Sequence, residues 1–332
     1  MRVQTWLVAL GAAWMVACGA DPSGDVSTDG LATDAPAGEI AAPDAAETDE
    51  ATPGEVGGGE EIAEVGEIVL PAFVGGDRPA ALVVPSAYDP ARAWPLVVLL
   101  HGYGVDGKLQ AAYLGLTARA ESMGFVLVVP DGTPDSDGLR FWNASPSCCN
   151  FDGIEVDDVA YLRGLIDETR ALVNIDPAHV ALLGHSNGGF MAFRMACDAA
   201  DLVTAVGAIA GSMSEGVTCT PARPVSVLDV HGTADADIRF EGSTHLGGAP
   251  YLSADAVVQA WVALDQCPGA PEVEPAPVDY DVQNAGPETT RTAWTGCAGG
   301  SRVDFWKMTG SPHIPPFNPA FKDAVLLRLL GR

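Results

Sequence analysis

The sequence predicts an α/β fold: one doubly wound, mostly parallel sheet with helices on both faces. Three observations carry this. Almost wholly apolar runs at residues 95–100, 125–129 and 180–183 alternate with segments of helical spacing, the pattern of strands covered on both faces. The chain has 332 residues and is 48% hydrophobic, enough for one sizeable core. The third is Gly184-His185-Ser186-Asn187-Gly188, a Gly-x-Ser-x-Gly at the junction between a strand and a helix. A serine capping any helix would look similar in isolation, but here partners for a nucleophile can also be found.

The elements follow in order. Residues 68–74 and 80–85 read as a hairpin around Gly75-Gly76-Asp77. Strand 95–100 runs into His101-Gly102-Tyr103-Gly104. A helix follows at about 108–122, with Leu109, Tyr113, Leu116 and Ala120 on one stripe, and Gly124 ends it. Strand 125–130 leads into a long loop, 131–154. Residues 156–172 read as a helix with Val159, Leu162, Ile166 and Leu172 inward. Asp157 and Asp158 suit its N-terminal dipole and are taken as structural. After the Ser186 strand and helix come strands at 203–209 and 225–230, a helix near 254–264, strands near 290–294 and 303–308, and a closing helix at 319–330.

The N-terminal region is different. Residues 1–18 read as a signal peptide: Arg2, an apolar run from 6 to 16, then Ala17-Cys18, as where a lipoprotein is acylated. Met15 and Val16 leave an ordinary secretory signal open. Both predict an exported protein, and lipidation of Cys18 would be its only membrane contact. Residues 19–66 predict a disordered acidic tether. Fourteen acids lie between Asp21 and Glu67, and no Lys or Arg stands between Arg2 and Arg78. Asp21, Asp25 and Asp29 lack the spacing of a calcium loop. Residues 67–332 form the predicted single catalytic domain, itself acidic, with thirty acids against sixteen bases from residue 68 onward. That charge repels nucleic acid. A monomer acting on a neutral polymer or small ester is expected, without cofactor or metal.

Beyond Cys18 there are six cysteines, an even number that in an exported chain reads as disulfides. Proximity favours Cys197–Cys219 and Cys267–Cys297. Cys148 and Cys149 pair with each other, or one of them bridges elsewhere.

A serine nucleophile needs a histidine base, itself oriented by an acid, in the order Ser, acid, His. His101 and His231 end strands, His179 precedes one, and His185 sits on the turn itself. His313 lies in a late strand-end loop and is the preferred base, with His245 second. Asp235 stands just past the strand at 225–230 and is the preferred acid, with Asp237 as alternative; Asp229, inside the strand, reads as structural. The backbone N–H groups of Asn187 and Tyr103 are the expected oxyanion donors. Trp142, on the long loop with Phe141 and Phe151, is a candidate to bind a sugar or phenolic ring, or else packs beneath the loop.

From about residue 68 onward the chain resembles the polyhydroxybutyrate depolymerase and feruloyl/acetylxylan esterase group of α/β-hydrolases. The matching pieces are Pro95 to Gly102, Val156-Asp157-Asp158-Val159, Gly184 to Gly189, His231-Gly232-Thr233-Ala234-Asp235 and the late His313. The resemblance implies an α/β-hydrolase fold, the triad Ser186, Asp235 and His313, secretion, and action on polymer or phenolic-acid esters. It departs at the base, where Ser311-Pro312 and Ile314-Pro315 replace the group's preceding glycines and following Trp-Pro. The sequence bears on two other functional classes as well. A serine peptidase would bring a recognisable specificity pocket or propeller domain. A surface-binding lipoprotein with a lapsed site would not need the complete Ser, Asp and His set.

Overall fold

The computed structural model describes residues 69–244 and 248–332. The signal peptide with Cys18, the acidic tether and His245 lie outside these residues. The short edge strands β1 (Phe73–Val74) and β2 (Ala80–Val83) pair antiparallel, forming the expected hairpin. The centre of the sheet is β3 (Trp94–Leu100), buried at every position because helices cover both its faces.

The helical stretch after β3 differs from expectation. It is two helices, α1 (Gly107–Leu114) and α2 (Leu116–Met123), divided by Gly115 at φ 62°. The break changes the helical phase, so Leu109 is exposed while Ala111 and Leu114 are buried. Next come β4 (Val126–Val129) and, inside the predicted loop, a small hairpin of β5 (Thr133–Pro134) and β6 (Arg140–Phe141). Helix α3 (Asp158–Leu172) is capped by the Asp157 carboxylate, which accepts from the Ala160 N–H. It buries Leu162 and Ile166, but its last inward position is Thr169, and Leu172 is exposed.

The remaining elements are β7 (Ile175–His185), α4 (Asn187–Asp198), β8 (Ala205–Ile209), β9 (Ser226–Gly232), α5 (Ala254–Leu264), β10 (Glu272–Val273), β11 (Thr289–Trp294), β12 (Val303–Met308) and α6 (Pro319–Leu329). The sheet order is β1-β2-β4-β3-β7-β8-β9-β12-β11-β10. The strands from β4 through β12 in this order are parallel, and antiparallel strands flank them at both edges. One core packs Leu162, Phe190, Phe193 and Trp261 of α3, α4 and α5 against one face. The other packs Leu114, Leu116 and Phe321 of α1, α2 and α6 against the opposite face. All three disulfides are formed, Cys148–Cys149, Cys197–Cys219 and Cys267–Cys297.

Candidate active site

Ser186 stands between β7 and α4 with φ 55° and ψ −120°, a conformation L-residues rarely adopt. Such a residue costs about 1–3 kcal/mol and persists only where its surroundings fix it. Here its N–H donates to the Ile209 carbonyl (2.8 Å), and its own carbonyl accepts from Gly189 (2.8 Å) and Phe190 (3.1 Å). The flanking glycines are required by space. A Cβ on Gly184 would lie 2.0 Å from the Gly188 oxygen, and one on Gly188 would lie 2.2 Å from the Leu100 oxygen.

The expected base and acid meet. His313 Nδ1–H donates to Asp235 Oδ2 at 2.7 Å, and the Asp235 side chain is fully buried. The other oxygen, Oδ1, accepts from the backbone N–H groups of Asp237 (2.9 Å) and Ile238 (2.8 Å). The Asp237 side chain is exposed, so Asp235 holds the position facing His313. The His313 loop is held against the Ser186 turn by two neighbours. His185 Nε2–H donates to the His313 carbonyl (3.0 Å), and the Tyr113 hydroxyl donates to the Pro315 carbonyl (2.6 Å).

Sequence reasoning passed over three histidines that turn out to be fully placed. His101, His185 and His231 are all buried, and burial is the first cause lowering each pKa, for His185 to about 3. All are therefore neutral at pH 7, and their backbone partners fix their tautomers. His101 donates from Nδ1 to the Gly102 carbonyl (2.7 Å) and accepts at Nε2 from Gly132 N–H (2.8 Å). His231 donates from Nε2 to the Ile238 carbonyl (2.7 Å). A signal was present: each stands beside a glycine at the carboxyl end of a strand.

The 101–104 loop lies against Ser186, since a Cβ on Gly102 would fall 3.4 Å from the Ser186 Cβ. Among the described residues, neither the Tyr103 nor the Asn187 backbone N–H makes a hydrogen bond. Both remain available to an oxyanion. The Asn187 side chain has a further task that the motif did not reveal. Its Oδ1 accepts from Trp142 N–H (2.7 Å), and its Nδ2 donates to the Trp142 carbonyl (3.0 Å) and touches Cys148 Sγ (3.8 Å).

Trp142 does not present its ring to a substrate. It is 0% exposed, its indole N–H donates to the His101 carbonyl (3.0 Å), and the Arg78 guanidinium lies over it. A large aromatic ring on a loop is buried when a backbone acceptor satisfies its one polar atom, as here. The exposed aromatic of this loop is Phe151, 54% accessible and edge-on to Tyr103. Asp158 is structural, as expected: it is buried, pairs with Arg78 (2.7 Å) and accepts from Asn143 N–H (2.7 Å).

Asp235, Asp237 and His313 bring one potential ligand atom each within 4.8 Å of one another. The set does not fit a metal centre, because the backbone and His313 already use both Asp235 oxygens.

Residues 72–219 match the family described as "Putative esterase". Over 149 residues the chain is 32% identical to "Putative esterase NocK" of Nocardia uniformis subsp. tsuyamanensis, covering 45% of this chain and 42% of that protein. Over 244 residues it is 26% identical to feruloyl esterase B of Piromyces equi, covering 71% of this chain and 42% of that protein. The chain thus spans less than half the length of these two relatives. Among solved structures, an acetyl xylan esterase from Aspergillus awamori superposes with a TM-score of 0.55 at 15% identity, over 78% of this chain and 98% of that one. The fold of the described residues is that of the α/β-hydrolases, with a large, mostly parallel sheet.

Proposed function

We propose that this α/β-hydrolase is an exported carboxylic ester hydrolase that works through a serine acyl-enzyme. The observation that carries the reading is the 2.7 Å Asp235–His313 hydrogen bond on a loop tied to the strained Ser186 turn. Ser186 Oγ attacks the ester carbonyl while His313 Nε2 takes its proton. Asp235 holds the Nδ1–H and stabilises the imidazolium. The developing oxyanion receives the Tyr103 and Asn187 N–H groups. His313 returns the proton to the departing alcohol. Water, activated by the same histidine, then attacks the acyl-enzyme and frees the carboxylic acid.

The substrates we infer are polyhydroxyalkanoate oligomers or feruloyl and acetyl esters of polysaccharides. The match to the esterase family and the similarity to a feruloyl esterase support this class. The leader and Cys18 fit a secreted or lipid-anchored monomer at the cell envelope, and three disulfides fit an oxidising compartment. The test compares the purified protein with its Ser186→Ala variant on short-chain nitrophenyl esters, methyl ferulate, acetylated xylan and hydroxybutyrate oligomers. Turnover that disappears with Ser186 is expected, and the preferred ester identifies the branch. Equal turnover by both proteins would rule out Ser186 as nucleophile.

A further inference from the structure

We propose that His231 is a positioning residue for the triad acid: its Nε2–H locks the Asp235 turn from beneath, and efficient attack by Ser186 depends on that lock. The inference rests on the serine-hydrolase reading above.

His231 is the penultimate residue of β9, held in register opposite Lys307 of β12. The sheet therefore fixes its backbone, while the turn that follows carries the acid. Its Nε2–H reaches forward to the Ile238 carbonyl at 2.7 Å, and the Ile238 N–H reaches back to Asp235 Oδ1 at 2.8 Å. This closes a ring of contacts from strand to turn to carboxylate. With Oδ1 occupied from the backbone, Oδ2 is directed at His313 Nδ1. His231 Nε2 lies 3.5 Å from that same Oδ2. Two imidazoles therefore converge on one carboxylate oxygen. One donates to it, and the other stands beside it with its proton given to a carbonyl.

The arrangement works only with a neutral His231. A second proton would fall on Nδ1, which is buried and makes no hydrogen bond. A cation 3.5 Å from Oδ2 would also compete with His313 for Asp235. The groups around it do not supply a counter-ion held for this purpose. Asp229, two residues back on β9, is buried, and burial together with Asp255 of α5 raises its pKa well above the ordinary range. Lys307 on β12 places its ammonium over the Phe240 ring, and that ring meets His231 edge-on. Asp237 on the turn is exposed, and Asp235 and His313 are already paired.

The test uses the purified full-length protein and a fluorophosphonate, which labels an activated serine whatever ester the enzyme prefers. Labelling rates from pH 5 to 9, steady-state kcat and KM on a nitrophenyl ester, and urea midpoints are compared for wild type, Ser186→Ala, His231→Leu and His231→Gln. Glutamine places an N–H near the position of Nε2, and leucine does not. His231→Leu should label Ser186 about 10- to 100-fold more slowly, the scale of a small misplacement. The loss should appear in kcat with KM little changed, and the acid limb should move to lower pH as Asp235 loosens its hold on His313. His231→Gln should recover the rate to within about threefold. If His231→Leu fails to fold, His231→Asn carries the test, because its shorter amide cannot reach Ile238 and it should behave as leucine does. Wild-type labelling rates in His231→Leu would overturn the proposal. So would a loss explained wholly by a smaller folded fraction with an unmoved acid limb, or a glutamine variant as slow as the leucine one. Wild type that does not label at all would instead overturn the serine-hydrolase reading, and the positioning role with it.

Discussion

Gly188→Ala isolates how much of the reaction depends on the tightness of the turn around Ser186. The added methyl would sit 2.2 Å from the Leu100 oxygen and 2.7 Å from the His101 oxygen. An ordinary carbon–oxygen approach is about 3.3 Å, so the gap must open by roughly 1 Å. Neither oxygen can rotate away. Leu100 is in register with Gly184 at the end of β3, and the His101 carbonyl accepts the Trp142 indole N–H. The displacement therefore separates the Ser186 turn from the 101–104 loop that carries the Tyr103 N–H. A misplacement of this size costs about 100-fold in rate, and the overpacking costs about 1–3 kcal/mol of stability. The assay is kcat/KM on a short-chain nitrophenyl ester, corrected for folded fraction by urea titration. Gly184→Ala, whose methyl would lie 2.0 Å from the Gly188 oxygen, should be at least as damaging. Gly164→Ala is the control: this helical glycine has open space around it, and alanine there should stabilise by about 0.5–1 kcal/mol without touching activity. If Gly188→Ala keeps kcat/KM within about threefold and an unchanged urea midpoint, the argument from space is wrong.

Three further outcomes are expected. Asp229→Asn should stabilise the protein at neutral pH, because burial, together with Asp255, disfavours the charged form of the Asp229 carboxyl. Its folded pKa is raised, so the cost is absent below the unfolded value near 4 and grows as pH rises above it. The gain should therefore grow by up to about 1.4 kcal/mol per pH unit above pH 4 until the folded pKa is passed; urea midpoints across pH check it, and a pH-independent gain would contradict it. His185→Gln should flatten the acid side of the stability curve. The folded pKa of His185 is depressed to about 3, so its contribution is complete above about 6.5 and is lost as pH falls towards 3, by up to about 1.4 kcal/mol per unit; the slope of stability against pH measures this directly. Replacing Cys197 and Cys219 together by serine should cost about 3 kcal/mol, from the 22-residue separation they bridge, read as a lower urea midpoint with little change in kcat per folded molecule.

Periodicity made the sheet readable where strands are apolar on both faces. Residues 95–100 and 125–130 differ from the observed strands by no more than one residue at either end, because each is flanked by polar or glycine-containing turns. It failed where one backbone angle decides the outcome. Gly115 lies inside the stripe read as one helix at about 108–122, but its left-handed conformation ends a helix and starts another. Strand β10 is only two exposed residues at a sheet edge, held by pairing with β11, so no local pattern marks it. The same division runs through the site. Ser186, Asp235 and His313 could be picked out as candidates because each follows a strand, in the order that a nucleophile, its acid and its base would take. The Asn187 side chain could not, because its partners, Trp142 and Cys148, lie far from it in sequence. The two readings of Trp142 stayed open for a related reason: composition says that a loop has aromatics but not which of them finds a backbone acceptor.

The anchoring of the 131–157 loop has a consequence for anyone wishing to redesign what this protein accepts. Arg78 and Asp158 hold it from the scaffold, Asn187 holds it from the Ser186 turn, and Ser147 bonds to Ser214 and to the Pro250 carbonyl on the far side. A loop fastened at so many points has its conformational entropy removed during folding, so under the proposed function an ester bound beside it would meet a finished shape. Selectivity set this way is a matter of fit at the rim rather than of closure around the guest. Transplanting the loop from a relative therefore means transplanting its fastenings too. A graft that changes the loop but keeps Asn187 facing a different backbone would disturb the serine before it altered the preference.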